Sequence, residues 1–160
     1  MKRQENFEQL EEKINFLENK VSKLELVLQS SFDVLRHHVS LLAKGEPADV
    51  ESIQKGLPYK EVFSKDLDDY LLQYPDSCVL DVRTDEEWSL GHIEGAIHVE
   101  VSQLENTWDK LSIPYDKKIL VVCARGVRSA WACHLLFSLG YKNTVNIEGG
   151  MMDYPGEVLR

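Results

Sequence analysis

The sequence has few cysteines, no long apolar run and too little positive charge for several common classes of protein. Its three cysteines in 160 residues are not closely spaced, which argues against the disulfide framework typical of small secreted domains. The longest apolar runs, such as residues 119–124, are too short to cross a bilayer, and the start of the chain leads into no apolar signal segment. These features predict a cytoplasmic protein with free thiols.

The shortage of positive charge is uneven along the chain. Lys and Arg number 18 against 27 Asp and Glu, a net charge of −9, which disfavours nucleic acid or an anionic membrane as a partner. Residues 117–147, however, contain five basic residues and no acidic residue. We therefore expect this segment to attract a small anion.

A regular apolar stripe marks the first quarter of the sequence. Its spacing alternates between three and four residues, as in a coiled coil, and its first members, here called the seam, are Leu10, Ile14, Leu17, Val21, Leu24 and Leu28. One extra step of four leads to a second apolar series, which consists of Phe32, Leu35, Val39 and Leu42. The pattern predicts one amphipathic helix over residues 5–43. A break at residues 29–31 is the alternative, because Ser31 could cap a second helix.

The length and charges of this helix predict how its stripe is covered. At 1.5 Å per residue the helix would be on the order of 60 Å long, too long for a domain of roughly 100 residues to bury. Lys13 and Lys20 occupy g positions of the heptad and Glu18 and Glu25 occupy e positions, so that parallel pairing joins opposite charges. The sequence thus predicts a parallel homodimer through residues 7–42. A larger bundle is an alternative, because two apolar residues, Phe16 and Leu26, lie outside the seam. Recruitment of a different protein by this helix is a further alternative.

The sequence divides into three predicted segments. Residues 1–44 form the oligomerisation helix, residues 45–57 have the Gly, Pro and polar residues of a linker, and residues 58–160 alternate short apolar runs with amphipathic stretches. This alternation is typical of an α/β domain with a central parallel sheet and helices on both faces. The predicted strands lie near residues 61–63, 78–82, 97–99, 119–123 and 144–147. The predicted helices cover residues 65–73, 85–89, 102–111 and 128–139.

Cys123 stands where such a domain places a ligand site. Residues 119–122 are entirely apolar, as a central parallel strand requires, and they deliver Cys123 to the carboxyl edge of the sheet. The next loop leads into a helix starting near Arg128, so loop N–H groups and the helix N-terminus could form an anion-binding concavity. Arg125 and Arg128 would also favour the thiolate, the nucleophilic form of cysteine. Considered alone, a cysteine at the end of a strand is more often an inert buried residue than a nucleophile.

Three segments carry a resemblance to a known family. Residues 123–129, Cys-Ala-Arg-Gly-Val-Arg-Ser, resemble the active-site loop of single-domain rhodaneses, with the nucleophile at Cys123. Residues 79–96 and 140–150 are similar to the family's motifs before and after this loop, and the resemblance covers residues 58–154. It implies a rhodanese-like three-layer fold and a sulfurtransferase that works through a persulfide. Thiosulfate or a similar donor would load Cys123, and a thiol, sulfite or cyanide would unload it in a ping-pong mechanism.

The resemblance also implies roles for the residues around the cysteine. The loop residues that would bind the substrate are Ala124, Arg125, Gly126, Val127 and Arg128. The residues placed behind the pocket are Asp81, Arg83 and His92. Asp81 and Arg83 could instead form an internal ion pair, and we interpret His92 as bonded to backbone rather than as a general base. Cys78 and Cys133 are interpreted as ordinary packing residues.

The sequence departs from the family pattern at two places. Ala124 occupies a loop position that is frequently basic in relatives. After residues 149 and 150 the sequence has Met151, Met152, Asp153 and Tyr154, where relatives more often have a Trp. Both departures leave the preferred donor open. No metal or cofactor is implied, and the adjacent histidines His37 and His38 would face different directions on a helix.

Two other functions compete with sulfur transfer. A cysteine phosphatase of the same fold needs five residues between its cysteine and arginine, but four residues separate Cys123 from Arg128. The smaller ring suits a single sulfur atom. The second competitor is a catalytically idle rhodanese-like module that serves as a coiled-coil scaffold, against which the retention of Cys123, Arg125 and Arg128 counts.

Overall fold

A computed structural model of the protein describes residues 2–45 and 49–160, with side chains from residue 9 onward. The chain forms two compact units, Met1–Ala48 and Asp49–Arg160. The first unit contains one helix, α1 (Lys2–Ala43), which confirms the prediction of a long N-terminal helix. The alternative break at residues 29–31 is wrong. There the Ser31 hydroxyl donates to the Val27 carbonyl at 2.9 Å, one turn earlier in the same helix, instead of capping a new one.

The apolar stripe of α1 is exposed. Every seam residue is more than half exposed, from 52 % for Ile14 to 64 % for Leu24. The second apolar series is 49 % to 56 % exposed. No helix in the described part of the chain is long and apolar enough to span a bilayer.

The second unit alternates strands and helices along the sequence. Its strands are β1 (Lys60–Phe63), β2 (Cys78–Asp81), β3 (Ile97–His98), β4 (Ile119–Val122) and β5 (Thr144–Glu148). Its helices are α2 (Val50–Lys55), α3 (Leu67–Gln73), α4 (Asp85–Ser89), α5 (Val101–Thr107) and α6 (Val127–Ser138). Each predicted strand and helix has a counterpart. Short 3-10 turns precede α3 and follow α5, where the sequence predicts one longer helix.

Helix α2 lies within the predicted linker, where the sequence interpretation placed no regular structure. It ends at Gly56, whose φ of 66° is in the left-handed region that favours glycine. The buried Ser52 hydroxyl donates to the Tyr59 carbonyl at 2.7 Å, which ties α2 to the start of β1. Residues from Asp49 onward thus belong to the second compact unit. Composition could not indicate this contact because it joins residues seven apart through one side chain.

All five strands are parallel and lie in the order β1-β5-β4-β2-β3. The central strand β4 is completely buried, as expected for a parallel strand that is covered on both faces. Ile119 and Val121 pack in one apolar cluster with residues of α5 and α6, whereas Leu120 and Val122 pack in a second cluster with residues of α3. The predicted α/β fold with a central parallel sheet and helices on both faces is confirmed.

The carboxyl edge of the sheet brings together the segments that carry the predicted site. Asp81 ends β2, Cys123 follows β4 and Glu148 ends β5, and Asp81 is the register partner of Val122. A four-residue loop, residues 123–126, separates β4 from α6. Its last residue, Gly126, has a φ of 95°, a conformation open to glycine, so the chain turns sharply into the helix.

Candidate active site

Cys123 lies at the base of this loop, and its sulfur receives hydrogen bonds from the start of α6. The backbone N–H of Gly126 donates to Sγ at 3.1 Å, and the Ser129 hydroxyl donates to Sγ at 3.4 Å. Cys123 is 1 % exposed, so nearly all of its surroundings are protein atoms. The unpaired donors of a helix N-terminus are thereby directed at the sulfur.

The pKa of the Cys123 thiol is lowered even though the residue is buried. Burial is the largest single influence and raises the pKa. Hydrogen bonds from the Ser129 side chain, and from the backbone N–H groups of Ser129, Arg125 and Gly126, together lower it by more. Cys123 therefore ionises at a lower pH than an ordinary cysteine, which favours a nucleophilic thiolate.

The residues after β5 form a wall behind the loop. The Met151 N–H donates to the Cys123 carbonyl at 2.8 Å, and the Met152 N–H donates to the Ala124 carbonyl at 3.0 Å. Gly150 fits so closely that a Cβ there would overlap the Cys123 carbonyl and lie 2.6 Å from the Arg125 nitrogen. Gly150, which the sequence showed only as part of a closing motif, therefore shapes the loop that holds the sulfur.

Arg128 is held beside Cys123 by a bidentate ion pair. Its Nη1 and Nη2 donate to the two carboxylate oxygens of Glu87, each at 2.7 Å. This pair raises the pKa of Arg128, to which the neighbouring Cys123 also contributes, and it lowers the pKa of Glu87 to about 2. Glu87 accepts a further hydrogen bond from the Thr84 N–H at the start of α4. It thus connects α4 to the first turn of α6 and fixes the guanidinium.

The other predicted loop residues have different surroundings. Arg125 is exposed, and its Nε donates to the Met152 sulfur at 2.9 Å. It lines a cleft of about 520 Å³ together with Lys65, Glu148 and other residues. Val127 is 78 % exposed on the outer face of the loop. The structure thus brings the Gly126 N–H and the Arg128 guanidinium to the sulfur and leaves the side chains of Arg125 and Val127 at the surface.

Asp81 and Arg83 form the internal ion pair that the sequence offered as one of two interpretations. Both side chains are buried, and Nη2 of Arg83 lies 2.6 Å from Oδ2 of Asp81. Arg83 also donates to the carbonyls of Glu87, at 3.1 Å, and Gly91, at 2.8 Å. The pair braces the segment that carries α4, and so it supports Glu87 from behind.

His92 makes structural contacts. Its ring stacks on Trp88 at 3.7 Å between centroids, and its Nδ1 lies 3.4 Å from the Trp88 carbonyl. Its backbone exchanges two hydrogen bonds with Leu159, each of 2.9 Å. These contacts are those of a loop histidine bonded to backbone, the interpretation that the sequence favoured.

The two remaining cysteines differ from Cys123. Cys133 is completely buried in the cluster between the sheet and α6, and Cys78 is half-buried at the start of β2. Burial raises the pKa of both thiols. Neither is prepared to act as a thiolate.

Sequence reasoning did not assign roles to two residues of this site. Ser129 entered only as the residue after the loop, yet a hydroxyl in the first turn of a helix that faces a thiolate is a recognisable signal. Glu87 lies 41 residues before Arg128. No local pattern indicates that pair, because it depends on how α4 and α6 meet at the edge of the sheet.

Together, fold and site define a class of protein: a parallel α/β sheet whose central strand presents a cysteine under the N-terminus of a helix. The chain matches the family model for the Rhodanese-like domain over residues 60–156, more than half of its length, and it belongs to that family. The match lies within the segment 58–160 that the sequence predicted to be the rhodanese-like domain.

Curated relatives of the chain include proteins with several names. It is 35 % identical over 98 residues to "Putative sulfurtransferase YtwF" of Bacillus subtilis, which covers 61 % of this chain and 92 % of that protein. It is 33 % identical over 88 residues to the tRNA uridine(34) hydroxylase of Photorhabdus laumondii, which covers 52 % of this chain and 25 % of that enzyme. The chain therefore spans about a quarter of this second relative, and the domain they share occurs in proteins with different names.

Solved structures show the same fold. A rhodanese-like domain protein from Staphylococcus aureus is similar with a TM-score of 0.56 and 32 % identity, over 62 % of this chain and 96 % of that chain. The human single-domain sulfurtransferase TSTD1 is similar with a TM-score of 0.51 and 26 % identity, over 60 % of this chain and 93 % of that chain. Rhodanese-like proteins named as sulfurtransferases are thus among its relatives in both sequence and structure.

Proposed function

We propose that the protein is a sulfurtransferase that carries a sulfane sulfur as a persulfide on Cys123. The observation that carries this proposal is the pair of hydrogen bonds to Sγ, from the Gly126 N–H at 3.1 Å and from the Ser129 hydroxyl at 3.4 Å. They favour the thiolate that must attack the donor. Membership in the rhodanese-like family and similarity to proteins named sulfurtransferases support the same activity.

In the loading step the Cys123 thiolate attacks the outer sulfur of thiosulfate or a similar donor. A bond forms between Sγ and this sulfur, the bond from this sulfur to the sulfonate group breaks, and sulfite leaves with the electron pair. The thiolate becomes a persulfide anion, so charge and electrons balance without a cofactor. Because Cys123 is 1 % exposed, a donor that presents one sulfur atom at its tip fits best.

In the unloading step a thiolate, sulfite or cyanide attacks the terminal sulfur of the persulfide. The bond between the two sulfur atoms breaks, and Sγ keeps the electron pair and returns to the thiolate. The acceptor leaves as a persulfide, as thiosulfate or as thiocyanate. The donor product departs before the acceptor reacts, so the kinetics are ping-pong.

The two loop arginines would serve an anionic donor in different ways. Arg128, which Glu87 fixes beside Cys123, would stabilise negative charge at the reacting atoms. Arg125 forms no ion pair with any carboxylate in the described ranges 9–45 and 49–160, and its exposed guanidinium would attract the donor during approach. The loop thereby combines Arg128, which an ion pair holds in place, with Arg125, which no described carboxylate pairs with.

Intact-mass spectrometry before and after addition of thiosulfate tests the proposal. We expect the wild type, Cys78→Ser and Cys133→Ser each to gain one sulfur atom, which cyanide then removes as thiocyanate. Cys123→Ser should gain none. A phosphate ester serves as the control substrate for phosphatase activity. A folded wild type that gains no sulfur would favour the idle scaffold, and a phosphate ester that reacts faster than thiosulfate would contradict sulfur transfer.

A further inference from the structure

The exposed seam of α1 is a feature that sulfur transfer does not use. Its six residues lie on one helix and are each more than half exposed. A continuous apolar stripe of this kind marks an interaction surface in a protein that is dissolved in water. We propose that a second copy of the same chain covers the seam, with the two α1 helices parallel and in register. The inference goes beyond the proposed function and does not depend on it.

The charges beside the seam select the second copy and its orientation. Lys13 and Lys20 lie on one side of the seam, and Glu18 and Glu25 lie on the other side, all of them exposed. In a parallel pair the lysine of one helix meets the glutamate five residues further along the other helix. The same chain thus supplies both halves of every contact. An antiparallel pair would instead place lysine near lysine and glutamate near glutamate.

These charges are not already paired along their own helix. Lys13 and Glu18 are five residues apart, as are Lys20 and Glu25, whereas neighbours on a helix surface are three or four apart. The Lys20 ammonium lies 5.7 Å from the centroid of the Phe16 ring, and no ion pair within the described helix involves any of the four. They are available to a partner.

The apolar residues of the seam favour a coiled coil of two helices over one of three helices. Branched Ile14 and Val21 occupy a positions, and leucines occupy the d positions between Leu10 and Leu24. This arrangement packs well in parallel dimers, whereas isoleucine at both positions favours larger bundles. After Leu28 the extra step of four shifts the stripe. We therefore place the best-defined part of the interface in the seam.

Analytical ultracentrifugation of the full chain at micromolar concentration tests the association. We expect a dimer for the wild type and a monomer for the double variant Ile14→Glu with Leu17→Glu, because each introduced carboxylate would have to be desolvated in the seam. Phe16→Glu is the matched control, since Phe16 is 63 % exposed on the same helix but lies outside the seam. It should remain dimeric. A wild type that is monomeric or trimeric, or a Phe16→Glu variant that is monomeric, would overturn the proposal of a dimer formed through the seam.

Charge reversal tests the orientation. Lys13→Glu with Lys20→Glu should weaken a parallel dimer on the order of 10 to 100-fold in Kd, because attractive pairs become repulsive. Adding Glu18→Lys and Glu25→Lys should restore wild-type affinity. In an antiparallel dimer the two lysine substitutions would only replace lysine–lysine contacts by glutamate–glutamate contacts. An unchanged Kd would therefore overturn the parallel arrangement. Thiosulfate loading of Cys123 should be the same in all these variants, so the failure of one proposal is distinguishable from that of the other.

Discussion

Helix α6 has one buried cysteine just before its first turn and another in its middle, and the pKa values of the two thiols are shifted in opposite directions. Cys123 is 1 % exposed and Cys133 is 0 % exposed. Burial raises the pKa of each, yet hydrogen bonds reverse the balance at Cys123, where the net pKa is lowered, and not at Cys133, where it is raised. The supply of donors, and not the degree of burial, therefore decides which cysteine is prepared to be a thiolate.

The geometry of a helix explains where spare donors are found. The first N–H groups of an α-helix have no partner within the helix, whereas those in its middle are used by carbonyls one turn earlier. Cys123 lies before the first turn of α6, so these free groups point toward its sulfur. Cys133 lies within the helix and packs in the apolar cluster against the sheet.

The largest effect is expected from the same substitution at the two positions. Cys123→Ser should lower thiosulfate-to-cyanide transfer by about 10³-fold or more, because a hydroxyl cannot form the persulfide intermediate. Cys133→Ser should keep wild-type turnover and lose on the order of 1 kcal/mol of stability through its buried hydroxyl. Thiocyanate formation and urea denaturation measure the two effects. A Cys133→Ser enzyme as inactive as Cys123→Ser would remove the functional distinction between the thiols.

The next effect concerns the fixed guanidinium beside Cys123. Arg128→Ala should lower kcat/KM for thiosulfate by about 10 to 150-fold. The anionic donor would lose a charge-assisted hydrogen bond to the guanidinium, which contributes roughly 1.5 to 3 kcal/mol. Arg125→Ala is the matched control and should have a smaller effect, because Arg125 is exposed. Glu87 has a pKa of about 2, so its carboxylate stays ionised throughout the assay range. Because this carboxylate holds the Arg128 guanidinium in place, Glu87→Ala should also lower kcat/KM by freeing Arg128. A larger effect at Arg125 than at Arg128 would reverse these roles.

A third effect should come from the wall behind the loop. Gly150→Ala should move the carbonyl of Cys123 and lower transfer on the order of 10-fold, with a loss of about 2 to 4 kcal/mol in stability. Gly95→Ala is the control, because Gly95 also has a positive φ, of 73°, but a Cβ there would meet nothing within 4 Å. It should lose about 1 kcal/mol and keep its activity. Equal losses in both variants would show that backbone strain alone explains the effect.

The sequence was sufficient to predict the framework because its signals are local. The apolar residues of β4 predict a buried central strand, and the glycine three residues after Cys123 predicts the sharp turn into α6. The steps of three and four in the seam predict the long helix. Each of these inferences rests on residues that are close in the sequence, so it does not depend on how distant segments pack together.

The remaining features depend on contacts between distant segments. Glu87 meets Arg128 across 41 residues, and Gly150 meets the loop only because β5 lies next to β4. Helix α2 is tied to β1 by the Ser52 hydroxyl, and the composition of that segment resembles a linker. Such contacts are set by strand order and helix docking, which the sequence pattern alone did not specify.

The smallest expected effect concerns Ser129, the side-chain donor to the Cys123 sulfur. Its hydroxyl has one hydrogen and two acceptors, Sγ at 3.4 Å and the Gly126 carbonyl at 3.0 Å, so it contributes less than a dedicated donor. This hydrogen bond stabilises the thiolate by about 1 kcal/mol, and the thiol form gains nothing comparable from it. Ser129→Ala should therefore raise the pKa of Cys123 toward that of an ordinary thiol.

The direction of this shift gives a pH test. The thiolate forms as pH rises through the pKa of Cys123, so a lowered pKa places the rise in reactivity below that of an ordinary thiol. In Ser129→Ala the rise should move to higher pH, with a slower rate on the rising part of the profile and the same plateau at high pH. Alkylation of Cys123 by iodoacetamide, followed by mass spectrometry across pH, measures the profile. Ser138→Ala is the matched control, because the Ser138 hydroxyl donates to the Leu135 carbonyl at the other end of α6. A profile that moves to lower pH in Ser129→Ala, or equally in Ser138→Ala, would contradict a role for Ser129 in stabilising the thiolate.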